Sequence, residues 1–559
     1  MRFLHLLLLV AGIFVAGNGK AQLYWNNNTT PANLTSANWG TLPGGPFTTA
    51  WTGGSNIVFT ANSTVQCTAA PVVGNVTVTG GNVAWTGFGN YSTSAAIRTM
   101  DIAGGSTLTW TGQAVTVVAG TGFNKTGAGT WNLGTLQSNY PGGFTLGAGI
   151  VLFAGNTNAF GTGALTINGG VIGNNSGGLR TISNSAINIG GNFQLGTATG
   201  ASNISFVGNI NLGAATRTIT IGSAAIDTLR GIISGGAGSG LTIASISTGR
   251  IVLGNSGNIY SGATTINSGL LYAGIANSLP ATTALVFANT AGAQFLLNNF
   301  NTTVGSIAGG GVTGGNIVLG SGALSTGGAN SNTSYGGVIS GTGSFTKTGT
   351  GVQTLTGANT YSGTTSVNAG TVLVNGSTSS LSAVTVASGA TLGGNGTVAG
   401  TVSNNGTLSP GSGPSSVDTI NTGATTFGAN STYLCEVSNV AGTPGVGWDF
   451  INSSGAINVT ASPITITLTN LVGSGFNVNN AYTWIIATGT SVVNFNALNF
   501  VIDRSTFPVG GIFTVEQSGN SLQIVFTPPS GNSITLDPPT QLSGASFCNG
   551  AINNTITLT

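Results

Sequence analysis

The chain alternates apolar and small polar residues in runs of three to six, and glycine separates the runs. Ser366-Val367-Asn368 is typical, with valine flanked by hydroxyl and amide. Alternation with period two places one face of a strand in a core and the other in solvent. Glycine at the breaks supplies the positive φ that tight corners need. No window combines a 3.6-residue period with helix caps, so the pattern predicts an all-β chain with little helix.

The pattern also recurs. Residues 343–376, "GSFTKTGTGVQTLTGANTYSGTTSVNAGTVLVNG", have two relatives, at 122–155 and 240–274. Each holds a tyrosine with a glycine nine residues later: Tyr140 and Gly149, Tyr260 and Gly269, Tyr361 and Gly370. Gly129, Gly249 and Gly351 precede those tyrosines by eleven, eleven and ten residues. In the third copy, Lys347 and Gly363 complete the repeat-defining set. A unit of this size is too small to bury a core alone, so the units are expected to stack as a solenoid. At roughly 20 residues per rung and ~4.8 Å between rungs, about 400 residues give a rod near 100 Å long. Turn spacing alone leaves an array of β-sandwiches as the alternative.

Composition narrows the function. Of 559 residues only 3% are charged and 95 are glycine, against about 25% charged in an average soluble domain. Like charges in successive rungs would repel, which accounts for their scarcity. Residues 1–21 read as a signal peptide: Arg2, the apolar "LHLLLLVAGIFVAG" and the small residues ending at Ala21. Its removal leaves eight basic and eight acidic residues, a neutral chain with no basic patch for nucleic acid. It also removes His5, the single histidine, and with it a Ser-His-Asp triad. No later run is long enough for an integral membrane span. Between Asp101 and Asp418 the one acid is Asp227, flanked by Arg217 and Arg230. Asp418 and Glu436, 18 residues apart, are the nearest pair to a rung spacing. The expectation is therefore no enzyme, no metal and no cofactor. Cys67 and Cys435 are read as small buried apolar residues, and Cys548 falls in the tail.

Six of eight tryptophans lie in the first 131 residues. Trp51, Trp85 and Trp110 are read as an aromatic cap over the first rungs, with a glycan-stacking surface as the alternative. After about Thr425 the strands lengthen and become more aromatic. The expected order is a signal peptide (1–21), an N-terminal cap with the first rungs (22–120) and the main β-helix (121–425). A C-terminal β cap (426–528) and a linker opening an incomplete extracellular module (529–559) follow.

The three units resemble the autotransporter-associated β-strand repeat, also called the passenger-associated transport repeat. "TLGGNGTVAGTVSNNGTLSPGSGP" from Thr391, "WDFINSSGAINVT" and "YTWIIATGT" are similar to that family's distal passenger region. The resemblance implies a right-handed parallel β-helix, exported to the surface of a Gram-negative bacterium or released from it. Repeats of that family are implied to support transport and folding, not chemistry. No segment reads as the family's translocating barrel, so self-transport is not carried over. The resulting expectation is a non-enzymatic β-helical stalk or adhesin-like passenger. Its partners would be the export machinery, glycans or surfaces, and copies of itself. The alternative is a β-helix that binds or degrades polysaccharide.

Overall fold

The computed structural model describes residues 22–25, 32–33, 39–40, 56–66, 74–86, 97–111, 120–135, 140–155, 158–198, 203–460, 462–507 and 510–529. The leader, Trp51, Cys67 and Cys548 lie outside them, as do residues 530–559.

The strands stack in parallel as a β-solenoid. One ladder runs the length of the rod, from Ala32–Asn33 through Thr130–Asn132, Thr264–Ile266 and Thr371–Val374 to Phe500–Asp503. A second face precedes it in most turns, with a gap between Ile233–Ser234 and Thr302–Val304. This face is built from strands such as Gly122–Thr126 and Phe144–Leu146 early on, and Phe345–Lys347 and Thr365–Val367 later. A third face follows the long ladder, beginning at Arg180–Ile182 and ending near Tyr482–Thr488. Among the described strand ladders, antiparallel pairing is confined to two places. Gln22–Trp25 pairs so with Trp39–Gly40, and Tyr482–Thr488 with the hairpin Ile512–Ser518/Ser521–Thr527. The described helix is one short 3₁₀ turn, Ala497–Asn499. The sandwich alternative is thereby set aside: stacked parallel ladders need crossovers in every turn, and here the turns themselves supply them.

The period-two pattern explains the core. In Val352–Leu355 and Thr371–Val374, alternate residues point inward, so Leu355 and Val374 are buried while Thr354 and Leu373 face out. Burying apolar side chains contributes about 25 cal/mol per Å², and every turn adds to one continuous column rather than to a separate core. Aromatic clusters mark both ends. Trp85, Trp110 and Trp131 are buried in the column, their rings meeting edge to face at 6.3 and 4.7 Å. At the far end Phe476, Trp484, Phe507, Phe513 and Phe526 pack together beneath the hairpin.

Two kinds of glycine shape the corners. Gly149, Gly269 and Gly370 have φ of 75°, 80° and 64°. Gly363 has an ordinary φ, but a Cβ there would stand 2.3 Å from the Gly343 carbonyl oxygen of the turn before. At Gly370 both limits apply, because its Cβ would also meet the carbonyl oxygens of Gly349 and Gly351 at 2.5 Å. Gly370→Ala is therefore expected to cost about 1–3 kcal/mol or more. Amide exchange localised to residues 345–374 should accelerate, while strands several turns away keep their protection.

Candidate functional site

Each sequence repeat is a pair of stacked turns. In the first, Gly122–Thr126 and Thr130–Asn132 lie under Phe144–Leu146 and Ile150–Phe153. In the third, Phe345–Lys347 and Val352–Leu355 lie under Thr365–Val367 and Thr371–Val374. The second unit uses Leu241–Ser245 and Arg250–Leu253 under Thr264–Ile266 and Leu270–Ala273. Its first strand sits on the long ladder, where the other two units place their second strand. The second repeat is thus turned by one face relative to the others.

Three buried polar side chains hold the pair together. Lys347 is almost wholly enclosed. Its ammonium donates to the carbonyl oxygens of Thr348 (2.7 Å), Gly349 (2.9 Å) and, one turn on, Ala369 (3.3 Å). Lys125 repeats this geometry with Thr126 (2.6 Å), Gly127 (2.8 Å) and Ala148 (3.2 Å). An ammonium has three N–H donors and no acceptor, so it matches a corner where three carbonyls converge. In the second unit Ser245 takes the lysine's place. Its hydroxyl donates to the Ser247 carbonyl oxygen (2.6 Å), the counterpart of Gly127 and Gly349.

Asparagine does the same at the opposite corner. Asn359 accepts from the Ile339 N–H of the preceding turn (2.9 Å) and donates to the Ser377 carbonyl of the next (3.2 Å). Asn258 links Ile233 (2.7 Å) and Ser278 (2.7 Å) identically. The repeat tyrosines are buried beside it. The Tyr260 and Tyr361 hydroxyls pair with Thr264 and Thr365, each at 2.6 Å. Phenylalanine occupies the corresponding position 144, and Tyr140 donates instead to the Ala159 carbonyl oxygen (2.5 Å). Burial pushes the Tyr260 and Tyr361 hydroxyls above their ordinary pKa, so they stay protonated.

Sequence reasoning found the tyrosines, the glycines and Lys347. It missed Lys125, Asn258 and Asn359, although the signals are present: lysine two residues before the corner glycine, and asparagine two residues before tyrosine.

The acids are placed differently from expectation. Asp227 forms no ion pair with its flanking arginines. The Arg217 Nε donates to the Leu212 carbonyl and the Arg230 Nε to the Ser205 hydroxyl. Asp227 points into the core between Ile204 and Ile251, and its Oδ1 accepts from the Ile204 N–H at 2.9 Å. Burial raises its pKa to about 7. The spacing argument paired Asp418 with Glu436, but the centre of that corner is Asp449, which it overlooked because the turn there has grown. Asp449 is buried and accepts from the Asp418 N–H through Oδ1 and the Glu436 N–H through Oδ2, both at 3.0 Å. Burial, backed by the nearby Glu436 and Asp418 charges, raises its pKa to about 8. Glu436 accepts from the Ser415 N–H (3.1 Å) and Asp418 from the Ser416 hydroxyl (2.8 Å). Acids do assemble here, as staples whose oxygens are taken by turn and strand groups. Cys435 is buried alongside, as expected.

Trp85 and Trp110 present no ring face to solvent, which leaves no glycan-stacking surface at those two positions. Among the described residues no group of three or more His, Cys, Asp or Glu side chains is arranged to hold a metal. No helix among them is long and apolar enough to cross a membrane.

The sequence profile of the passenger-associated transport repeat matches residues 123–153, 247–273 and 345–374. The chain carries passenger-associated transport repeats. The first and third matched segments span their stacked pairs of turns, and the second spans its pair from Arg250–Leu253 onward, leaving out Leu241–Ser245. A 101-residue stretch is 44% identical to the adhesin BmaC autotransporter of Brucella suis, covering 18% of this chain and 3% of that protein. The chain thus spans a small fraction of that relative's length. Among solved structures, the Haemophilus influenzae Hap adhesin aligns over 85% of this chain and 64% of its own, at 13% identity and a TM-score of 0.29. The solenoid assignment rests on the strand pairings above.

Two predictions follow from the buried groups. Lys347→Met strips a partner from three corner carbonyls and is expected to cost at least about 2 kcal/mol, read as lost exchange protection across 345–374. The pH dependence has a definite sign. Unfolded aspartates ionise near 4, whereas folded Asp227 and Asp449 hold their protons to about 7 and about 8. Between those limits the folded chain binds more protons, so their contribution to stability falls as pH rises from about 4 to about 8. Asp227→Asn keeps the acceptor for Ile204 and removes the titration. Its melting temperature relative to wild type should be higher at pH 8 than at pH 5, by circular dichroism.

Proposed function

We propose that the mature chain is a non-enzymatic, exported β-helical passenger: a stalk or adhesin-like rod on, or released from, a Gram-negative cell. In this reading the repeats support its secretion and folding. The observation that carries it is that buried backbone groups of the repeats are satisfied by side chains of the same or an adjacent turn. Lysine and asparagine satisfy buried backbone groups of adjacent turns roughly 20 residues away, and Tyr140 does so at the Ala159 carbonyl. Contacts of such short range cost little loop-closure entropy and form early relative to distant pairings. A chain emerging from an export channel can thereby settle turn by turn without a distant partner. The match to an adhesin autotransporter over part of the chain supports the same class. The neutral outer surface suits many weak polar contacts with glycans, other surfaces or further copies.

The test has two arms. Purified mature chain, coated on beads, is measured for adhesion to glycan arrays and to itself, and for turnover of a polysaccharide panel. Adhesion without turnover is expected. In the native host, Lys125→Met with Lys347→Met should lower the amount of protease-resistant exported chain several-fold without lowering synthesis. Polysaccharide turnover abolished by Asp449→Asn or Asp418→Ala in a chain that still folds would overturn the proposal.

A further inference from the structure

Among the described residues the long ladder ends at Phe500–Asp503. Phe500–Asp503 pairs in parallel with Ile464–Asn470 on one edge, and no described strand pairs with the other. The inward residues show the consequence. Ile464 and Ile466 are buried, but Phe500 and Ile502, stacked directly on them, are half-exposed. Between this strand and the hairpin strand Ile512–Ser518 lies a groove of about 400 Å³. Phe500, Ile502, Arg504, Ile512, Phe513 and Val515 are among its walls. An unpaired edge with uncovered apolar residues is a place where another strand adds.

We infer that Ser533–Asp537 of the same chain is that strand. Three observations support this occupant. First, the ladder's steps here are 33 residues (Thr432 to Thr465) and 36 residues (Thr465 to Val501). The same steps from Phe500 reach residues 533–536. Second, that segment reads Ser-Ile-Thr-Leu-Asp, the alternation of Ile464–Asn470, and proline lies on both sides of it at Pro528-Pro529 and Pro538-Pro539. Third, the described chain ends at Pro529, whose ring lies 3.9 Å from the Cβ position of Gly510. The Gly510 carbonyl accepts from Arg504 at 3.3 Å, and Gly511 lines the groove. The tail therefore departs beside the Arg504 end of the free strand.

Four residues reach at most ~14 Å, which favours laying the segment back along the edge, antiparallel. Ile534 and Leu536 then cover Ile502 and Phe500, and Thr535 stands opposite Val501. This direction also separates Asp537 from Asp503, whereas parallel addition would set the two carboxylates side by side.

The test is disulfide trapping in the full mature chain carrying Cys67→Ser and Cys548→Ser. Directly opposed residues on antiparallel strands have Cα atoms about 4.5–5.5 Å apart, within the disulfide range. Val501→Cys with Thr535→Cys should cross-link within one chain under mild oxidation, at least ten-fold more than Val501→Cys with Asn553→Cys. Mass spectrometry identifies the linked peptides. Deleting residues 530–559 should raise binding of a hydrophobic dye several-fold, and Ile534→Asp with Leu536→Asp should reproduce that rise in the full chain. A cross-link found only between two chains would assign the edge to a second copy and overturn the inference. Equal cross-linking in the two cysteine pairs would overturn it as well.

Discussion

A parallel solenoid is limited by its corners. Along each face the backbone groups pair with the turns before and after. Where the chain bends, carbonyls turn toward the interior and lose that partner, and an unsatisfied buried carbonyl costs about 1–3 kcal/mol. The rod is long and its core is thin, so such costs recur with every turn. Lys125, Lys347, Asn258 and Asn359 are answers to that one problem. Each is a polar group placed where an apolar side chain would pack well but leave the backbone unpaired.

This constraint explains why the chain tolerates so few charges yet buries several of them. Burial pushes the Lys125 ammonium down to about 8, with the Asp101 carboxylate opposing that shift. Three short carbonyl contacts compensate for part of the desolvation. Between about 8 and the ordinary value of 10.5 the unfolded chain binds the extra proton, so this residue's contribution to stability rises with pH. Its sign is opposite to that of the buried aspartates. At the distal corner Asp449 inverts the chemistry, since a carboxyl accepts two backbone N–H groups instead of donating to carbonyls. The turn has lengthened there to 31 residues, from Thr419 to Phe450, and strand-end N–H groups rather than carbonyls are the orphans.

The architecture was legible in the sequence because its causes are local. Alternation marks which side chain enters the core, and glycine with positive φ marks the bend. Both signals survive at Gly149, Gly269 and Gly370. What escaped were relations across turns whose spacing drifts. Asp418 to Glu436 matched a rung by arithmetic, but the group binding that corner, Asp449, lies 31 residues from Asp418 because an excursion from Ser438 to Gly447 lengthens the turn. The tryptophans read as a cap, which the buried cluster fits, and strand phase decides against the glycan-stacking alternative at Trp85 and Trp110. That phase places both inside the column, paired in register with one another.

The repeats also show what the solenoid demands of a sequence motif and what it leaves free. The second unit is turned by one face yet keeps its tyrosine, asparagine and corner glycine. The motif therefore specifies a relation between consecutive turns, not a position on the rod. Ser245 can stand in for lysine because a hydroxyl reaches the +2 carbonyl from a shorter side chain, although it cannot span to the next turn as the ammonium does. There the link passes to Ser268, whose hydroxyl accepts from the Ser245 N–H and donates to its carbonyl. One long side chain is replaced by two short ones in adjacent turns. Selection on such a corner acts on the satisfied set of backbone groups, and the residue that satisfies them can change.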